Sequence, residues 1–285
     1  MTVTASPRGG GLVWRDPPPR PRLRPGRVDV WRASLDVDPS RASGLLATLS
    51  PGEKDRARRF HFLEDQSRYV AARAILRHLL GLYLDRRPTD LRLSRGAFGK
   101  PSLADAGAGD GIRFNLSHSG GLALFAFSLG REVGIDVELA TSVQVDDLSP
   151  AGFLSAGEES RLRSLEGQQR QEALLRCWTR KEAYLKAIGE GMGAPLMEIE
   201  VSLLPESPAL LRAPGGEKEI RRWSLLDLVP ASGYAACLAV EGAAEVVCWE
   251  WRWPDRIAEA EPSPHHRCAG MGKGAKPGPV RAGER

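Results

Sequence analysis

Val133-Gly134-Ile135-Asp136-Val137-Glu138 sets two carboxylates at alternate positions of a short β-branched run. Valine and isoleucine favour extended backbone, and on a strand residues two apart project from the same face, about 7 Å apart. Asp136 and Glu138 can therefore share a cation. A hard ion such as Mg²⁺ takes oxygen ligands and often uses only one or two carboxylates beside substrate phosphates, so the pair suits a metal-phosphate site. Taken alone, the pattern fits a strand with an acidic solvent face equally well.

Working outward, this strand sits among others. Before it come Leu91–Leu93, Arg113–Leu116 and Leu122–Ser128, each bounded by Gly, Ser or Pro. After it, a helical stretch Gly157–Leu165 leads to a strongly periodic helix over Glu172–Ile188. Strand character resumes at Ile199–Leu204, Ile220–Leu226, Gly233–Val240 and Val246–Trp251. Upstream, Val28–Leu35 opens as a strand, and Ser50-Pro51 starts a helix reaching about Tyr83, with a break near Phe62–Asp65. Tyr69, Ala72, Leu76, Leu79 and Tyr83 mark its core stripe. Strand, long helix and strands thus occur twice. The expectation is an α+β chain of two similar halves, residues 28–132 and 133–254, flanked by disordered Pro/Arg-rich (1–27) and Gly/Pro-rich (255–285) tails.

The chain has 285 residues, 42% of them hydrophobic, enough for a stable core without staples. Its net charge of +4 is unevenly spread. Residues 1–27 carry six Arg and one acid, whereas residues 28–254 hold 28 basic and 31 acidic side chains. A basic excess confined to the ends reads as solvated tail and not as a nucleic-acid footprint. The four cysteines lack metal-ligand spacing, and no apolar run suggests a signal peptide or membrane span, so a cytoplasmic protein without nucleic-acid or membrane partners is expected.

Three further segments break the structural pattern. Around Cys177–Lys186, the residues Leu174, Trp178, Lys181, Leu185 and Ile188 follow one helical stripe, which sets an ammonium among apolar neighbours; snorkelling from the stripe's edge is the structural alternative. Glu182 and Lys186 share the adjacent row, where an ordinary i,i+4 ion pair is the alternative. Phe114–Gly121 runs from a strand into a turn rich in hydroxyls, a histidine and exposed amides, all good phosphate partners. Adjacent Ser117 and His118 do not make a hydrolase dyad. Phe98-Gly99-Lys100-Pro101 holds a lysine in a tight turn, and Arg56, Arg58, Arg59 and Arg68 crowd the long helix's start, where a solvated charge run is the default.

Taken in order, LSPGEKDRARRF…DQSR (from Leu49), FGKP (from Phe98), FNLSHSG (from Phe114), VGIDVE (from Val133) and WTRKEAYLKAIGEGM (from Trp178) resemble the Sfp-type 4′-phosphopantetheinyl transferases over about Leu49–Val240. The resemblance implies a pseudo-twofold monomer that moves 4′-phosphopantetheine from coenzyme A to a serine of an acyl or peptidyl carrier protein, releasing 3′,5′-ADP. It implies Asp136, Glu138 and Glu182 as ligands of Mg²⁺, with Mn²⁺ as the other candidate. Asp136, Glu182 and Lys186 would carry catalysis, Glu182 as ligand, base or both. Arg56, Arg68, Lys100, Pro101, Ser117, His118 and Lys186 would contact coenzyme A, and Phe153–Leu175 part of the carrier. One departure stands out: the family often has a basic residue where this chain has Glu53, with Lys54 as the substitute. The rival of another class is a non-catalytic module binding coenzyme A or a carrier protein.

Overall fold

The computed structural model describes residues 4–5, 12–104, 111–141, 152–190 and 195–253. The first half is organised by β3 (Arg27–Ser34) and β7 (Leu122–Leu129), antiparallel neighbours buried on both faces. Period-two alternation sends Val28, Val30, Leu124 and Ala126 to one side and Trp31, Ala33, Phe125 and Phe127 to the other. Burial on two faces is why β7 reads as the nearly unbroken apolar run LALFAFSL. A tight Gly120-Gly121 turn joins β7 to β6 (Ile112–Ser119), where Gly120 has φ +53°. The other flank of β3 is taken by β13 (Glu245–Glu250), running parallel, with β1 (Thr4–Ala5) and β2 (Trp14–Arg15) along its outer edge.

Three helices follow β3: α1 (Pro39–Thr48), α2 (Pro51–Ala57) and α3 (Leu63–Leu84). A reciprocal Ser50–Glu53 capping box opens α2, and Glu53, nearly buried, also holds Arg73 at 2.8 Å and Arg77 at 2.7 Å. Glu53, at the position where the resemblance leads to a basic residue, is thus committed to the frame. A small hairpin of β4 (Leu93–Arg95) and β5 (Pro101–Leu103) precedes β6.

The second half repeats the plan. β8 (Val133–Leu139) pairs with β12 (Tyr234–Glu241), and β12 with β11 (Trp223–Leu228), all antiparallel. The outer face of this sheet carries α5 (Gly167–Ile188), matching α3 at 22 residues, preceded by α4 (Ala156–Arg163). The β9 (Glu200–Val201) and β10 (Leu210–Arg212) pair and α6 (Gly216–Arg222) complete it. Val133, Ile135 and Val137 pack with Leu238 and Val240 against Val28, Val30 and Leu124, so the two sheets face each other between α3 and α5. The layers run helix, sheet, sheet, helix.

The edges of β6 and β8 meet without a shared ladder, and side chains take over the backbone's hydrogen bonding. Ile135 N–H donates to Asn115 Oδ1 at 2.9 Å and Leu139 N–H to Ser119 Oγ at 3.1 Å. On the opposite face of β8, Gly134 brings strand and helix together. A Cβ there would lie 2.1 Å from Ala183 O and 2.3 Å from Ala187 N, so α5 crosses β8 backbone to backbone.

Several expectations need correction. The tail expected over 1–27 is anchored from residue 12: Trp14 donates to Val229 O at 3.1 Å and lies under Arg32. β13 falls within the expected second half, 133–254, yet completes the first sheet, because its apolar residues Val246 and Cys248 fit beside Val28 and Val30. Ile220 belongs to α6, not to a strand, and α1 was not expected. Lys181 does not snorkel. It is fully buried, ion-paired to equally buried Glu158 at 2.6 Å and donating to Phe153 O and Leu196 O. The expected 255–285 tail lies outside the described residues.

Two stability measurements test this frame. Gly134→Ala should destabilise by about 1–3 kcal/mol in chemical denaturation, because the added methyl forces α5 off the strand. Lys181→Met should cost about 3–5 kcal/mol by leaving the Glu158 carboxylate buried without its cation.

Candidate active site

On β8 the residues following Gly134 on its helix-facing side are Asp136 and Glu138. On α5, Glu182 and Lys186 precede Ala183 and Ala187, the residues that touch Gly134, so each lies beside the crossing. β6 supplies Ser117 from across the seam. Three elements from both halves thereby converge on one cluster.

Lys186 Nζ lies 2.5 Å from Asp136 Oδ1 and 2.9 Å from Ser117 Oγ, and Ser117 donates to the same Asp136 oxygen at 2.9 Å. The i,i+4 pair of Glu182 with Lys186, the structural alternative read from the sequence, gives way to this cross-element contact. Asp136 is 1% exposed. Its second oxygen, Oδ2, and Glu182 Oε1 are buried without a hydrogen-bond partner. Such oxygens are costly unless something positive meets them.

The titration of the cluster carries the same signature. Burial, then the neighbouring Asp136 charge, raises the Glu138 pKa, against opposing hydrogen bonds from Ser119 and Trp178 and the Lys186 charge. Burial also raises that of Glu182, where Lys186 opposes and Asp136 and Glu138 add to the rise. Three carboxylates around one ammonium leave an excess of negative charge. The donor set is all oxygen, which matches a hard divalent cation. Among the described residues no group of three or more His, Cys, Asp or Glu side chains already stands at metal-holding spacing. The two unpartnered carboxylate oxygens are the feature that fits a cation.

The remaining expected contacts divide. His118 is exposed at the end of β6; desolvation of its protein-facing side and then the Lys186 charge lower its pKa, with Asp65 opposing and Arg68 reinforcing. Its neighbour Arg68, on α3, pairs with Asp36 at 3.0 Å and Glu64 at 2.5 Å. Arg56 lies over the Tyr69 ring and lines a cavity of about 570 Å³ with Arg59, Arg73 and Arg95, separate from the carboxylate cluster. Lys100 turns toward the second half. Its ammonium is engaged by Glu132, Val133 O and Ala187 O, while Pro101 begins β5. The Phe153–Leu175 segment is partly core: Phe153 is buried edge-on against Trp178.

Sequence reasoning missed Ser119 and Trp178 as partners of Glu138, and Asn115 as the side chain that holds β8 in place. Asn115 is buried in β6 on the same row as Ser117 and Ser119, so the alternation of polar side chains along this strand is a signal that could have been read.

Comparison with known proteins finds relatives along both halves of the chain. The model of the 4′-phosphopantetheinyl transferase superfamily matches residues 132–239, and that of the 4′-phosphopantetheinyl transferase N-terminal region matches residues 36–129. The chain is 44% identical over 232 residues to 4′-phosphopantetheinyl transferase HetI of Nostoc sp., covering 81% of this chain and 94% of that one. To 4′-phosphopantetheinyl transferase Sfp of Bacillus subtilis it is 26% identical over 170 residues, covering 60% and 73%. A solved holo-(acyl-carrier-protein) synthase from Bacillus anthracis, in complex with coenzyme A, overlaps 40% of this chain and 96% of that one at 21% identity and a TM-score of 0.32. With the relationship to HetI extending over both halves, the chain belongs to the 4′-phosphopantetheinyl transferase family.

Proposed function

We propose that the chain transfers the 4′-phosphopantetheine group of coenzyme A to a serine hydroxyl of an apo acyl or peptidyl carrier protein, with Mg²⁺ as cofactor. The observation that carries this reading is the carboxylate cluster with two unpartnered buried oxygens beside Lys186, in a chain of this family. Asp136, Glu138 and Glu182 would hold Mg²⁺, which would supply charge neutralisation at the pyrophosphate of coenzyme A.

In the reaction a bond forms from the carrier serine oxygen to the β-phosphorus, and the bond from that phosphorus to the bridging oxygen breaks, releasing 3′,5′-ADP. Lys186, beside Asp136, stabilises the negative charge that develops on the leaving oxygen. Glu182 has an elevated pKa and a free buried oxygen, which suits it to receive the serine proton. Ser117 orients Lys186 and Asp136 through its hydroxyl. His118 and Arg68 flank the cluster as phosphate partners, and the arginine-lined cavity at Arg56 suits a more distant phosphate. Among the described residues no helix is long and apolar enough to cross a membrane, and Cys177, Cys237 and Cys248 are free thiols, which supports a cytoplasmic setting.

The direct test is intact mass of an apo carrier after incubation with coenzyme A and the enzyme, with Mg²⁺ or EDTA. A metal-dependent gain of about 340 Da is expected. Asp136→Ala and Glu182→Gln should each lower kcat/KM at least about 100-fold while leaving a folded chain. Full activity in either would sink the assignment.

A second test uses pH. Because the folded pKa values of Glu138 and Glu182 lie above the free carboxylate value of 4.5, the folded metal-free state holds more protons, and its stability falls as pH rises through that window. Mg²⁺ binding to the ionised groups offsets this loss. Millimolar Mg²⁺ should raise the thermal midpoint at pH 7.5 and not at pH 4.5; equal midpoints with and without Mg²⁺ at pH 7.5 would count against the site.

A further inference from the structure

Lys100 sits where the β4–β5 hairpin closes, fixed by Gly96 N–H donating to Lys100 O at 2.9 Å and by Gly99 N–H donating to Gly96 O at 2.9 Å. Gly99 has φ +85°, a conformation that glycine adopts without strain. From this turn the side chain crosses to the second half. Its ammonium donates to Glu132 Oε2 at 2.9 Å, Val133 O at 3.1 Å and Ala187 O at 2.8 Å. A lysine has three N–H donors, and all three are matched.

The acceptors are significant for where they lie. Val133 immediately precedes Gly134 on β8. Ala187 immediately follows Lys186 in the last turn of α5, where a backbone carbonyl has no partner within the helix and the helix dipole favours a cation. Lys100 therefore bonds strand and helix on either side of their backbone-to-backbone crossing, the joint from which Asp136, Glu182 and Lys186 project. Glu132 is itself tied down: its other oxygen accepts from Arg113 at 2.9 Å, and its backbone exchanges hydrogen bonds with Glu241. The side chain of Lys100 is only 18% exposed.

We infer that the Lys100 side chain is a positioning group that clamps the β8–α5 crossing from the first half of the chain, and so sets the geometry of the metal-binding carboxylates and Lys186. This inference rests on the transferase reading for its kinetic consequence. It differs from a coenzyme A phosphate contact at the same lysine, because a clamp needs Glu132 as much as Lys100 and a phosphate contact does not.

The test compares Lys100→Met and Glu132→Gln in the full chain. Transfer to an apo carrier is measured with coenzyme A varied, together with calorimetric affinities for 3′,5′-ADP in metal-free buffer and for Mn²⁺ alone. A clamp predicts that both variants lose about tenfold in kcat and about fivefold in Mn²⁺ affinity, with affinity for 3′,5′-ADP within about twofold of the unaltered chain. Two results overturn it: Lys100→Met weakening 3′,5′-ADP binding tenfold or more at unchanged kcat, or Glu132→Gln leaving kcat and Mn²⁺ affinity unchanged. Should Lys100→Met not fold, Glu132→Gln still decides. Should the unaltered chain transfer nothing, the transferase reading fails, and the Mn²⁺ affinities still test the clamp.

Discussion

The close passage of α5 over β8 at Gly134 is the constraint on which the rest of the molecule turns. Backbone meets backbone because no side chain intervenes, and the carboxylates of one element are carried to the lysine and glutamate of the other. A pair of long side chains reaching across an ordinary helix-on-sheet spacing would keep more freedom and lose more entropy on capturing an ion. Here the elements themselves fix the positions. The cost is concentrated charge in a poorly hydrated place, visible in the raised pKa values of Glu138 and Glu182.

That cost bears on how the two halves are joined. Ser117 and Asn115 reach from β6 to β8, Lys100 reaches from the small hairpin to both β8 and α5, and the sheets bury a shared apolar layer. The cluster therefore belongs to neither half alone. A polar seam beside an apolar one gives the interface a single register, since sliding β6 along β8 would orphan the Ile135 and Leu139 amides.

Much of this was legible before the fold was known. Alternation around Asp136 and Glu138 gave their shared face, and β-branched runs, helical stripes and the Ser50–Pro51 start gave most of the elements to within a few residues. What stayed hidden depends on partners distant along the chain. Helical spacing sets Lys181 among apolar residues but says nothing of Glu158, which meets it from another helix. Tight-turn chemistry fixed Lys100 in place without revealing that its ammonium crosses to Ala187. Proline-rich composition at the front suggested a free tail, whereas Trp14 finds a neighbour more than two hundred residues away. Local pattern reports which face is apolar, and only tertiary contact reports what covers it.

The place of β13 reaches beyond the active site. It lies inside the first sheet, parallel to β3, with β1 and β2 on its far side, although it follows the whole of the second half in sequence. During synthesis the opening strands must therefore wait, unpaired along that edge, until some two hundred further residues have been made. The halves look like repeats, but they cannot mature one after the other as beads on a string. A chain truncated before Glu245 would leave the edge of β3 bare, so loss of the last strand would be felt first at the opposite end of the sequence.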